Sequence, residues 1–297
     1  MIDLSSDGAT ENWANNFGKT SPAGGGNVVT TGQAGIDATG NVDVEGSFTS
    51  SLVATPGGGL VNLGIAKTAG STADGFVAQL NPGGGLKWST AQDIGGSAAT
   101  VSLTGLDVVP SGASPANGIA ILGTFKGGSL TVPVNSLALS GTGNTDGLIA
   151  EYSSAGVNSW AENVGSRTAT NITVGVGGIT VDANGNVDFV GSMNGNLTSG
   201  APPAHFLNLS LTKTAGGVVD VFAAQVTSAG ALGWAHNYGG SGTTATAIGL
   251  TLDSLNNLIF IGSASGGGLT FGGTTLPNTT SQYGFIEGVS ASGTAAG

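Results

Sequence analysis

The chain has no cysteine, only six lysines and arginines, and two histidines, and charged residues make up just 8% of its 297 positions. Without cysteine there is no disulfide framework, no thiolate metal site and no thiol nucleophile. Six basic residues spread over this length cannot build the lysine and arginine footprint that nucleic acid requires. The formal net charge of −11 would in addition repel a phosphate backbone, so no nucleic-acid partner is expected. No run of about 18 apolar residues occurs, so no membrane insertion by a helix is expected. No basic segment followed by an apolar stretch opens the chain, which fits a cytosolic protein, a mature chain after cleavage, or a segment of a longer protein.

What is abundant is glycine, 56 of 297 residues, together with a mean hydropathy of +0.24 and 39% hydrophobic residues. Solvated disorder needs low hydrophobicity and high charge, so this composition excludes it. A strict Gly-X-Y register is missing as well, which excludes collagen.

Repetition organises the sequence. Trp13, Trp88, Trp160 and Trp234 are spaced by 75, 72 and 74 residues. Before three of them stands one phrase in three spellings, Asp74-Gly75-Phe76-Val77-Ala78-Gln79-Leu80, Asp146-Gly147-Leu148-Ile149-Ala150-Glu151-Tyr152 and Asp220-Val221-Phe222-Ala223-Ala224-Gln225-Val226. A fourth version, Gly284 to Val289, has no tryptophan after it. Downstream of each tryptophan lies Asp37 to Phe48 or a relative of it: Asn117 to Phe125, Asp182 to Met193, and Asp253 to Ala264. Four copies of about 74 residues, centred on the four tryptophans, therefore account for residues 1–297 as a single repeat domain.

Each copy reads as short strands joined by turns. Asn81-Pro82-Gly83-Gly84-Gly85 reverses the chain from the Phe76 strand into Leu86-Lys87-Trp88. Ser153 to Gly156 and Thr227 to Gly230 do the same in later copies. Gly178 to Val181 and Gly249 to Leu252 read as third strands, and Leu258 to Ile261 as a fourth, apolar on both faces as a sheet sandwiched between neighbours should be. No apolar stripe of helical period survives this density of glycine, threonine and valine. Four antiparallel strands per unit, stacked face to face, predict an all-β, propeller-like fold of four blades. The surplus length in 49–73, 126–145, 194–219 and 265–282 predicts an extra rim hairpin per blade, carried for example by Leu130, Val132 and Val134 or by Leu207, Leu209 and Leu211.

The Phe76 strand with its Leu-Lys-Trp partner, and above all Asn41-Val42-Asp43-Val44-Glu45-Gly46-Ser47-Phe48 and Asn186-Val187-Asp188-Phe189-Val190-Gly191-Ser192, resemble the bacterial SBBP-type β-propeller repeats. The resemblance spans essentially the whole chain. It implies a secreted or surface-exposed protein with no family catalytic residue to carry over. The long inserts, the four copies and the missing lysine in Ala78-Gln79-Leu80 depart from that family's pattern.

Chemistry-bearing motifs are few. The elbow pattern Gly-x-Ser-x-Gly and the phosphate-binding fingerprints are absent, and the histidines are His205 and His236. His236 follows Trp234 by two residues and so shares its strand face. Glu151 and Glu162 are the available acid–base pair, but both lie in repeat strands and read as surface carboxylates. Asp182, Asn184 and Asn186, with Asp37 opening the equivalent loop, are spaced like calcium ligands. Asn184-Gly185 also reads as a plain hairpin turn, the reading preferred here, so calcium is the only cofactor these residues suggest. The tryptophans recur at one phase, which argues for packing between blades over carbohydrate stacking. Sequons stand at Asn171, Asn196, Asn208 and Asn278.

The functional expectation is a non-enzymatic structural or self-assembling protein at or outside the cell surface. It would associate through its terminal strands: strand 284–290 either closes the ring beside Trp13 of its own chain or pairs with a neighbouring subunit. Two alternatives come from other classes. One is an adhesion module binding glycan or protein through the rim inserts; the other is a propeller-scaffold hydrolase or lyase, which the scarcity of basic groups disfavours.

Overall fold

The computed structural model describes residues 2–4, 11–14, 17, 28–52, 62–133, 135–137, 143–167, 170–198, 204–277 and 279–294. Every regular element among them is a β-strand. Strands β1 (Ile2–Leu4) and β2 (Glu11–Ala14) form an antiparallel hairpin with Asp3 opposite Trp13. The first sheet is a meander of β3 (Val29–Ile36), β4 (Val42–Phe48), β5 (Asp74–Leu80) and β6 (Gln92–Ile94). In the second, β7 (Thr100–Val108) and β8 (Ile119–Lys126) are followed by a side hairpin, β9 (Leu130–Val132) and β10 (Asn135–Leu137). The chain then returns as β11 (Thr145–Tyr152) and β12 (Asn158–Val164).

The third sheet contains β13 (Val174–Val181), β14 (Val187–Met193), β15 (Asp220–Val226) and β16 (Leu232–Tyr238). The fourth has three strands, β17 (Thr243–Leu252), β18 (Leu258–Gly266) and β21 (Thr279–Val289), with a side hairpin of β19 (Thr270–Phe271) and β20 (Thr274–Thr275) between the last two. The molecule is thus all-β and built from several small antiparallel sheets. The expected rim hairpins are present at β9–β10 and β19–β20. Among the described residues, single bridges from Leu52 to Ile65 and from Leu197 to Leu211 mark them in the other two inserts. Val134 and Asn278 lie outside the described residues.

Successive sheets stack through their first strands, β3 on β7, β7 on β13 and β13 on β17. β15, in a sheet covered on both faces, is buried along its whole length, and so is β5 of the first sheet. The stacking layers are aromatic. Phe48 meets Phe76 with centroids 6.2 Å apart, Phe189 meets Phe222 at 5.9 Å, and Phe260 meets Phe285 at 6.0 Å. A glycine makes room for the third-strand ring each time. A Cβ on Gly46 would lie 2.7 Å from Phe76, one on Gly191 2.5 Å from Phe222, and one on Gly262 2.4 Å from Phe285. That close approach is the physical content of the repeated Gly-Ser-Phe phrase.

The tryptophans do join neighbouring sheets. Trp88, Trp160 and Trp234 each rest on a turn glycine of the following sheet, Gly156, Gly230 and Gly293, whose φ values are 77°, 81° and 81°. A side chain at these glycines would be strained by the backbone and would collide with the indole. The Nε1–H of Trp88 also donates to the Ser154 carbonyl at 3.2 Å. Trp88 and Trp160 are buried and Trp234 is half-buried. The Trp13 side chain lies outside the described residues.

Two expectations are corrected. Trp88 is not on a strand: after a single bridge from Leu80 to Leu86 the chain leaves the sheet, and β6 starts only at Gln92. The sheets are also offset from the tryptophan-centred copies. Each sheet begins after a tryptophan, and the last strand of the first three lies at or just past the next one, so β2 is by type a last strand, and the fourth sheet has no last strand among the described residues.

Candidate functional site

The carboxylates singled out as calcium ligands cap their own turns. Asp182 Oδ1 accepts the backbone N–H of Asn184 and of Asn186, both at 2.8 Å, and its Oδ2 accepts the Asn186 side-chain amide at 2.9 Å. Asp37 does the same toward Thr39 and Asn41, and Asp253 toward Leu255 and Asn257. Burial opposes ionisation of Asp37, but the bonds from Asn41 and Thr39 outweigh it and hold its carboxyl below the usual range. A cation at these loops would have to displace donors already aimed at the carboxylate. Gly185, at φ 85°, completes the turn. No group of three or more metal-type side chains is present among the described residues. Asp182→Ala should cost about 1–2 kcal/mol of stability by freeing two backbone donors. Chelator should leave the wild-type melting temperature where it was; a fall of several degrees with EDTA, reversed by calcium, would contradict this role.

Glu151 is not a surface residue. It is fully buried between the second and third sheets, and burial pushes its carboxyl up to about 8. Glu162 sits on the adjacent strand opposite Ile149, with its carboxyl raised by burial to about 7 and His205 Nδ1 3.8 Å away. The pair therefore shares a sheet face, but Glu151 has no opening to a substrate. The sequence reads this position as a surface carboxylate because a charged residue in a repeat strand usually faces solvent and the covering sheet cannot be seen in a single strand.

More acidic groups are buried in the same fashion. Asp43 and Asp188 each accept a hydrogen bond from a glutamine directly opposite, Gln79 at 2.8 Å and Gln225 at 3.1 Å, yet burial keeps both carboxyls near 7. Glu45 and Asp93 are raised by burial to about 7 as well.

A cleft of about 760 Å³ opens between the end of β16 and the β19–β20 hairpin. Its lining includes His236, Asn237, Ser241, Thr214 and Thr270, over a floor rich in glycine. His236 stacks on Trp234 with centroids 5.7 Å apart and 27° between planes, as their shared strand face predicts.

The most distinctive surface is the outward face of the fourth sheet. Ile261 is 48% exposed and Ile286 69% exposed, side by side on β18 and β21. The register places Ile261 where the second sheet has Leu122 and the third has Val190, both buried. Likewise Ile286 corresponds to Ile149 and Ala223, also buried. Ile248, at the bulge of β17, adds a third exposed isoleucine. Among the described residues β21 pairs with β18 alone. The sequence reads Leu258 to Ile261 as apolar on both faces, but among the described residues no sheet covers the Ile261 side. No protein-family model matches the chain, and no curated protein matches it.

Proposed function

We propose that this chain is a non-enzymatic, propeller-like repeat domain that serves outside the cell or at its surface as a structural, self-associating component. The observation that carries the reading is the exposure of Ile261 and Ile286 at positions that are buried in the preceding sheets. An apolar sheet face of this kind is a docking surface, since leaving it in water forgoes the burial the rest of the fold exploits. A lack of catalysis is supported by Asp43, Glu45, Glu151 and Asp188, which are buried on strands within the stacked sheets and do not line the cleft. The extracellular setting rests on the resemblance to SBBP-type repeats.

Ile261→Lys with Ile286→Lys tests the association. Both side chains face solvent in the single chain, so its stability should change by no more than about 0.5 kcal/mol per site. Light scattering should show multimers of the wild-type chain that the double variant loses. Multimers unchanged by the two lysines, or a wild-type chain that is monomeric at every concentration, would defeat the reading.

The cleft beside His236 favours one alternative, a neutral glycan stacked on the exposed imidazole and bonded by hydroxyl and amide groups. His236→Ala should then abolish retention on a glycan array without altering multimers.

A further inference from the structure

The four sheets are not equivalent; they alternate in two types. Asp37 and Asp182 are 145 residues apart, as are Asp43 and Asp188, and Gln79 and Gln225 are separated by 146. The buried Asp–Gln pair thus occurs in the first and third sheets, in the same register. Lys67 and Lys213, again 146 apart, each donate from Nζ to carbonyls of the loop that precedes the third strand, Thr68 and Ser71 in one case, Thr214 and Gly217 in the other. Asp74 and Asp220 accept the Thr68 and Thr214 backbone N–H in the same loops.

The second and fourth sheets share a different outward face. Where the first and third have the Asp–Gln pair, they have Ala120 opposite Glu151 and Ile259 opposite Gly288. Beside these come Leu122 with Ile149 in the second sheet and Ile261 with Ile286 in the fourth. In the second sheet this aliphatic face is covered by the inward face of the third, where Leu122 and Ile149 share one core with Phe189, Phe222 and Met193. The first sheet carries the inward face of the same type, with Val44, Phe76 and Phe48 at the matching positions. In the single chain this face is buried: Val44, Phe76 and Phe48 share a core with Leu52, Leu63 and Ile65, and Phe17 packs against it with its ring 6.2 Å from Phe76, so docking has to displace that cover.

We infer that the partner of the fourth sheet is the first sheet of a second copy of this chain, with Ile261 and Ile286 seated against Val44 and Phe76 as Leu122 and Ile149 are seated against Phe189 and Phe222. This inference rests on the self-association proposed above and names both halves of the contact. The junction is heterologous, one face of each kind on every chain, so association extends head to tail. Phe17 competes for the receiving face and is displaced on docking. An intramolecular version would have the fourth sheet of the same chain on its own first sheet, and the experiment separates the two.

Because the chain has no cysteine, single thiols can be placed without background. Ile261→Cys and Val44→Cys are prepared separately, mixed, and oxidised with diamide. A disulfide-linked heterodimer, several times more abundant than either homodimer, is the expected result. The double variant in one chain, oxidised at high dilution, should stay unlinked. An internal link there would overturn the second-copy partner in favour of ring closure. Predominant Ile261→Cys homodimers would overturn it in favour of a symmetric contact, and either result would leave self-association standing. A wild-type chain that never associates would remove both proposals. As a second measurement that leaves both faces intact, Phe17→Ala should strengthen association about tenfold by raising the fraction of chains with a free receiving face; weakened association would show that Phe17 is part of the contact.

Discussion

The folded chain should be more stable at pH 5 than at pH 8, with a melting temperature lower by roughly 10 °C or more at the higher pH. Burial raises Asp43, Glu45, Asp93, Glu162 and Asp188 to about 7 and Glu151 to about 8 in the folded state, and raises Glu287 as well. Unfolding returns them to their ordinary values near 4. Between those limits the folded chain holds more protons than the unfolded one, so unfolding releases protons and stability falls as pH rises. The contribution is complete below about pH 4 and is lost as pH climbs through 7 to 8. Each unit of separation is worth about 1.4 kcal/mol before solvent screening of the partly accessible groups. Calorimetry across pH 4–9 reads the slope directly, and Glu151→Gln should flatten it while raising stability at pH 8. A melting temperature that climbs from pH 5 to pH 8 would mean that these carboxyls are ionised in the fold.

Phe222→Ala should destabilise the fold by about 3–5 kcal/mol. The ring is fully buried, lies in the space left by Gly191, and meets Phe189 edge-on at 80°. Its removal leaves a cavity that flanking strands, tied on both sides by ladder hydrogen bonds, cannot collapse to fill. In melting temperature the loss amounts to roughly 6–15 °C. Phe222→Leu should cost far less, about 1–1.5 kcal/mol, because the second sheet already places Leu148 at the equivalent position beside Gly123. Ile286→Ala, at an exposed position of the corresponding strand, serves as the control and should be nearly neutral in the single chain. Equal losses from Phe222→Ala and Ile286→Ala would show that the fourth sheet's outer face is covered within one chain.

Much of the architecture is readable along the chain, since strands with a two-residue period and glycine-bearing turns leave a strong pattern. The tryptophan spacing, the Gly46 and Gly191 phrases and the Asp182 turn all appear in the structure as the residues suggest. Trp88 escapes because the Pro82-Gly83-Gly84-Gly85 turn lets the chain leave the sheet, a matter of loop conformation and not of propensity. Glu151 is misread because its burial is caused by a different sheet. The same is true in reverse of Ile261 and Ile286. Their hydrophobicity is plain, but whether anything covers them depends on sheet stacking. The alternation of sheet types becomes visible only once Asp43 is seen opposite Gln79 and Asp188 opposite Gln225.

The first strand of each sheet carries a bulge at the same register, between Thr31 and Ala34, Leu103 and Gly105, Val176 and Gly178, and Ala247 and Gly249. During folding, a chain with four near-copies of one strand has many wrong partners within reach, and Val42–Phe48 could zip with the neighbour of Val187–Met193. A bulge acts as a notch in the template: sliding by one residue misplaces it and turns every side chain to the opposite face. Within each sheet, pairing also joins only strands that follow one another in sequence, which keeps the loops to be closed short and favours the correct mate by proximity. The notch and the short path together let each sheet find its own strands before its look-alikes can compete.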